Sequence, residues 1–320
     1  MTGTSGGNAP SSSRTTAGST EARQAEELEV EARLAEAHEA AARRPRAAWA
    51  PLPRRAGIKP ASPLLSIRTP IPQAWRWLLT VLSLAVPFLA WVVLVMSGAV
   101  PSTFLPSPDA VLSAGLEMLR SGDLLDDLGA SAARVLYGFG LAVLVSVPLG
   151  IVMGTFGAGQ FAFEPVIGLL RYLPASAFIP LLIIWLGLGE PSKIAILFLG
   201  TVFFNILMTA DVVRGVPRSL IDVSYTLGAR RGEVLRKIVV PHSLPGIIDA
   251  IRVNAAAAWN FVVVAELINS TEGLGYRILR SQRFIQTDRI FAVLVVIGVA
   301  GLVIDVALRL LRTRVGKWTA

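Results

Sequence analysis

The chain has 320 residues, 53% of them hydrophobic, a formal net charge of +8 and no cysteine, with a mean hydropathy of +0.60. A soluble domain of this length does not carry so apolar a composition, and without cysteine it has neither disulfides nor thiolate metal sites. In a soluble protein the basic excess would suggest nucleic acid. Among long apolar runs it is instead the mark of basic residues gathered on one side of a membrane, so no nucleic-acid partner is expected.

Residues 1 to about 20 are mostly Ser, Thr and Gly, with little to bury and no basic-then-apolar signal pattern, and are expected to be disordered. From Glu21 to Arg44 the chain is Glu, Ala and Arg, with Glu29 and Arg33, and Glu39 and Arg43, four apart. That spacing predicts a solvated helix carrying ion pairs. Residues 45 to 72 are rich in Pro and Arg and read as a linker. Residues 1–72 are therefore expected to be a cytoplasmic extension, and 73–320 the membrane domain.

Six apolar runs approach the ~20 residues that cross a ~30 Å hydrocarbon core. The first runs from about Trp75 to Met96, with Trp75, Trp77 and Trp91 placed to sit near the interfaces. An acidic external segment with an amphipathic middle follows. The second span, about Arg134 to Phe156, carries Gly138, Gly140, Ser146, Gly150 and Gly154, small residues that permit close helix packing in lipid. The third, about Pro165 to Leu186, contains Pro174 and Pro180; the fourth, about Ile194 to Val213, contains Asn205. The fifth runs from about Gly246 to Ile268 and the sixth from about Arg289 to Leu311. Basic clusters precede the first span, fill the loop after the fourth and follow the sixth, which predicts both termini in the cytoplasm. Arg277, Arg280 and Arg283 after the fifth span are the exception.

The loop after the fourth span, Arg218 to Arg252, has the most complete local signals. Ser219 and Asp222 stand at capping-box spacing, and Leu220, Val223 and Leu227 share one helical face. Gly228 ends that helix in a left-handed conformation. A second short helix, roughly Gly232 to Val239, is expected to end before Pro241, and Pro245 to open the next span. The expectation is helix, turn, helix on a membrane surface, arginines outward.

Here the sequence resembles the "EAA" loop of ABC importer membrane subunits: Asp222-Val223-Ser224, three residues, Gly228, nine residues, Ile238, one residue, Val240-Pro241. Val223 and Ser224 stand where the family has two alanines. From about residue 75 onward the chain is similar to the nitrate/sulfonate/taurine (and bicarbonate) subgroup, through LPSPDAV (105–111), LLRYLPASAFIPLLIIWLGLGEPSKI (169–194) and AELINSTEGLGYRI (265–278). The resemblance implies an all-α polytopic fold of six transmembrane helices, the type I ABC importer permease fold, with a cytoplasmic coupling helix. It implies a dimer of ABC ATPase subunits, a second permease copy and an extracytoplasmic substrate-binding protein as partners. The implied cargo is a small solute such as a sulfonate, taurine, nitrate or bicarbonate.

The resemblance places ATPase docking on Leu220, Ile221, Asp222, Tyr225, Leu227, Gly228, Ala229 and Arg230. The chain is not expected to be an enzyme and needs no cofactor: it has no G-x-x-x-x-G-K-[ST] phosphate loop, nucleophile with base or acidic pair. His38 and His242 lack partners at ligand spacing, so no metal is expected. Arg230 and Arg231 are alternatively contacts for anionic membrane lipid. Glu266, near the outer end of the fifth span, either lines the pathway or pairs with Arg277 or Arg280. Asn205, Asn254 and Asn260 line a polar pathway or hydrogen-bond between helices. Arg171, read as near the inner end of the third span, reaches to headgroups or attracts an anion. The competing function is a secondary transporter or channel, which would need no docking loop.

Overall fold

The computed structural model describes residues 32–36 and 71–317. By its contacts the chain divides into Met1–Leu78 and Leu79–Ala320. Of the first unit, residues 32–36 are helical and 71–78 hold the start of α1. The expected terminal disorder, most of the Glu/Ala/Arg helix and the Pro/Arg linker lie outside the described residues.

The described chain is helical throughout: α1 (Gln73–Met96), α2 (Pro108–Arg120), α3 (Asp123–Thr155), α4 (Gly157–Leu170), a 3₁₀ turn (Ala175–Phe178), α5 (Ile179–Leu186) and α6 (Glu190–Arg214). Then come α7 (Arg218–Thr226), α8 (Arg231–Val234), a π turn (Leu235–Val239), α9 (Val240–Asn269), α10 (Leu274–Arg283) and α11 (Thr287–Val315). Five helices are long and apolar enough to cross a membrane, α8 and α9 counting as one; α4 with residues 175–186, bent by 80°, makes a sixth if taken as one broken span. The six-span all-α expectation holds in this form.

The second span's helix starts at Asp123, not at about Arg134, and two further elements differ from the sequence reading. The third span is not one helix from Pro165 to Leu186 but a broken pair. The residue before a proline is pushed out of helical backbone, and Pro174 itself is extended (φ −62°, ψ 121°), so the chain turns at 171–174 before restarting. The second expected loop helix does not stop before Pro241. It continues through the π turn into α9, the Val240 N–H reaching back five residues to Leu235 O. One extra residue in the turn makes room for a proline ring that would otherwise strike the preceding carbonyls.

The bundle is built around α3 and α6. A Cβ on Gly138, Gly150 or Gly154 would lie 2.6 Å from the Cβ of Leu197, Thr209 or Val213 respectively, so glycine is what lets the two backbones approach. Gly140 faces away, with nothing within 4 Å. The same register sets Ser146 opposite Asn205, and both are buried. Above this seam α9, α10 and α11 enclose a core that includes Trp259, Val262, Leu274 and Val293, with Val111 and Met118 of α2 against it. Trp91 is tied into the protein: its Nε1 donates to Pro106 O at 3.1 Å and its ring stacks on Phe291.

Candidate functional site

At the end of the bundle where α6 stops, α7 is held by a short apolar root. Ile221 and Ala229 pack with Val213, Val216, Val234, Val239 and Ile247. The helix closes in a Schellman motif: Gly228 N–H donates to Tyr225 O at 2.9 Å and Ala229 N–H to Ser224 O at 3.0 Å. Gly228 has φ +82°, the left-handed conformation expected of it. Ser219 is not the N-cap. Pro217 occupies that position, so Ser219 falls inside the first turn and no side chain caps it. The cap-like carboxylate belongs to Glu233 instead, which accepts from Arg230 N–H at 3.0 Å and from Lys237 Nζ at 3.0 Å.

The apolar face of α7 points outward. Leu220, Val223, Tyr225 and Leu227 are 42, 58, 47 and 82% exposed, and Asp222, Gly228 and Arg230 are exposed beside them. So the sequence-selected docking residues separate into an anchoring pair, Ile221 and Ala229, and a displayed set. Val223 joins that displayed set, although its place in the apolar stripe alone does not mark it as a surface residue.

At the far end of the bundle, three helices (α3, α9 and α10) meet on one carboxylate. Glu266 is wholly buried and accepts from Ser131 Oγ, Arg134 Nη1 and Gly275 N–H, each at 2.7 Å. Arg134 also holds Glu190 through Nε (2.7 Å) and Nη2 (2.8 Å) and donates to Glu272 O at 3.0 Å. Lys193 Nζ reaches Glu190 at 2.9 Å. Glu266 therefore pairs with Arg134, not with Arg277 or Arg280. Arg277 is taken by Asp127, with Asp123 at 3.0 Å. Burial pushes the Arg277 guanidinium down, but the two carboxylates outweigh it and hold it above its ordinary value. The two carboxylates thus neutralise one of the arginines that stood as the exception to the charge pattern.

Glycine makes the clasp possible. A Cβ on Gly273 (φ +114°) would lie 2.5 Å from Glu266 Cδ and 2.6 Å from Arg134 Nη1; one on Gly275 would lie 2.7 Å from Glu266 Cβ. Arg134, Asp127, Glu190, Glu272 and the two glycines escape sequence reasoning. The available signal was two opposite lone charges, Arg134 and Glu266, bordering apolar runs.

The remaining candidates separate. Asn254 Nδ2 donates to Ala250 O at 3.1 Å and lies 3.1 Å from Met208 Sδ on α6, so it bridges helices. Asn205 is buried in the α3–α6 seam with neither amide atom bonded, and Asn260 is exposed on α9. Arg171 is not near one end of its span but in the break between α4 and the 3₁₀ turn. There, with Tyr172, Pro174 and Ser176, it lines a groove of about 280 Å³ against Gly200, Phe203, Phe204 and Phe261. Among the described residues no group of three or more His, Cys, Asp or Glu could hold a metal.

A family described as the binding-protein-dependent transport system inner membrane component matches residues 146–317. The chain belongs to that family. This permease is 33% identical over 256 residues to the taurine transport system permease protein TauC of Escherichia coli, covering 76% of this chain and 93% of that protein. It is 33% identical over 246 residues to a putative aliphatic sulfonates transport permease protein, SsuC, of Bacillus subtilis (77% and 89%). It is 30% identical over 220 residues to the riboflavin transport system permease protein RibX of Chloroflexus aurantiacus (69% and 82%). Among solved structures, the methionine ABC transporter MetNI in inward-facing form shares the fold: TM-score 0.53 at 18% identity, over 58% of this chain and 92% of that one. An amino acid ABC transporter crystallised with histidines gives 0.52 at 13% identity (62% and 97%). The permease is thus a multi-pass membrane transport component of the taurine/sulfonate subgroup, not a catalytic subunit.

Proposed function

We propose that this permease is the pathway-forming subunit of an ATP-driven importer and that α7 is its coupling helix. Two copies form the pathway, and a separate ATPase grips each α7 on the cytoplasmic side. An external binding protein delivers a small anion of the sulfonate, taurine, nitrate or bicarbonate type. The observation that carries this reading is the exposed apolar surface of α7: Leu220, Val223 and Leu227 on one face, with Tyr225 beside the anchoring side, stand exposed on a helix rooted by Ile221 and stopped at Gly228. A displayed apolar patch rimmed by charge is a protein interface by its chemistry. Arg214, Arg218, Arg230, Arg231, Arg236 and Lys237 around it favour the cytoplasmic side. The names of the taurine and sulfonate relatives support a small sulfonate as cargo; the riboflavin relative shows that similar permeases are named for other solutes.

A secondary transporter or channel has no use for such a helix, and Leu227→Glu decides between them. Leu227 packs against little, so the variant should reach the membrane in normal amount. Burying an unpaired carboxylate in an ATPase groove costs about 1–3 kcal/mol or more, so ATPase co-purification should fall at least about fivefold and uptake with it. Normal uptake with no ATPase captured by the wild-type protein would refute the importer reading.

A further inference from the structure

The broken span sets a cation inside the bilayer. On the loop side, Arg214 in the last turn of α6 donates to Glu164 of α4 at 3.3 Å. Past the break, Ile179 and Ile183 of α5 meet Ser192 and Lys193 in the first turn of α6. The groove at Arg171 is walled by Leu199, Gly200, Phe203 and Phe204. Those residues stand about 15 Å from either end of α6 at ~1.5 Å per residue. Arg171 is therefore near half depth. A charged side chain there is costly and persists where it faces a cavity and has a task.

Its neighbours do not neutralise it. Four other cations on the bundle helices do have carboxylates: Arg134 has Glu266 and Glu190, Lys193 has Glu190, Arg214 has Glu164 and Asp211, and Arg252 has Asp249 and Asp305. Among the described residues Arg171 has no carboxylate partner. Its contacts are the Tyr172 hydroxyl at 2.9 Å and the Tyr172 ring, 4.8 Å from the guanidinium carbon. The wall opposite is aromatic. Phe261 packs so closely on Gly200 that a Cβ there would be 2.6 Å from the ring. An unpaired guanidinium fork over apolar walls suits one oxyanion headgroup with a short apolar stub.

We propose that Arg171 is the permease's own anion-binding residue, taking a monovalent oxyanion, a sulfonate or nitrate-like group, at half depth in the membrane. A single cation compensates a single charge, so a dianion or an uncharged solute is disfavoured. This rests on reading the chain as a permease for a small anion, and deepens it. Where two copies form the pathway, the groove at the break is the face each presents to the passing solute.

The test is calorimetric titration of the full-length permease in phosphatidylcholine nanodiscs with ethanesulfonate, nitrate, bicarbonate and sulfate, with ATPase capture measured separately on the same preparations. At least one monovalent anion should bind the wild type and sulfate should not. Losing a charge-assisted bidentate contact should weaken that binding about tenfold to a hundredfold in Arg171→Gln. Arg171→Lys, which keeps the charge but loses the fork, should weaken it only a few-fold, and Arg120→Gln on the exposed surface should leave it unchanged. ATPase capture should be normal in all three variants. Wild type that binds no monovalent anion, or Arg171→Gln that binds as tightly as wild type, overturns the proposal. A wild type that binds anion through Arg171 but captures no ATPase would instead overturn the importer reading and leave this site standing.

Discussion

Two glycines with positive φ do different jobs, and substitution separates them. Gly228 (φ +82°) has nothing within 4 Å of where a Cβ would stand, so only its backbone conformation resists change. Asparagine tolerates the left-handed region, whereas valine pays about 1–2 kcal/mol for it. Gly228→Asn should therefore keep ATPase capture near wild type and Gly228→Val should lose most of it. Gly273 (φ +114°) is different, because any side chain would run into Glu266 and Arg134. Gly273→Asn should lower the thermal midpoint of the purified permease by several degrees, where Gly228→Asn leaves it unchanged; size-exclusion survival after heating reads both. Gly228 was legible in the sequence because its reason is local: a helical stripe, a stop and a fixed spacing within about ten residues. Gly273 was not, because the groups that forbid its side chain lie on α3 and α9, and Arg134 is more than 130 positions away in the chain.

Between elements, the seam of α3 and α6 was half legible. Small residues in an apolar run announce close packing but not which of them does it, since the face is set by a partner helix the sequence does not identify. Gly138, Ser146, Gly150 and Gly154 lie on the seam while Gly140 faces away. A methyl at Gly150 would come within 2.6 Å of Thr209 Cβ and 2.8 Å of Ile206 O, and backbone cannot swing aside as a side-chain tip does. Gly150→Ala should destabilise the bundle by about 1–3 kcal/mol, whereas Gly140→Ala should be neutral. Thermal unfolding of the two variants in one detergent compares them directly, and equal midpoints would remove the seam as the reason for glycine. The broken span was misread for a related cause. Proline inside an apolar run is compatible with a kinked helix or with a break, and only the neighbours that re-satisfy the freed backbone groups decide.

At the scale of the whole permease, one helix joins the two ends. From Arg231 to Ile268, 38 residues run from just past Gly228 to just past Glu266, about 57 Å at ~1.5 Å per residue. A displacement at the foot of this helix, beside α7, would have one continuous element running to the clasp. The clasp is suited to a two-state role because Glu266 is met by donors alone: Arg134 Nη1, Gly275 N–H and the Ser131 hydroxyl, whose oxygen is itself occupied by Leu274 N–H at 2.9 Å. Glutamine at this position must turn its NH₂ toward one of those donors, at a cost of about 1.5–3 kcal/mol. Nothing in that change touches α7, so ATPase capture should stay at the wild-type level. If the clasp holds the far end of the bundle shut until the binding protein arrives, loosening it should let the cycle turn without that signal. In the assembled complex, Glu266→Gln should raise ATP hydrolysis in the absence of binding protein several-fold and shrink the stimulation on adding it. Unchanged basal and stimulated hydrolysis, with the variant's thermal midpoint lowered, would reduce the clasp to a fastening with no part in the cycle.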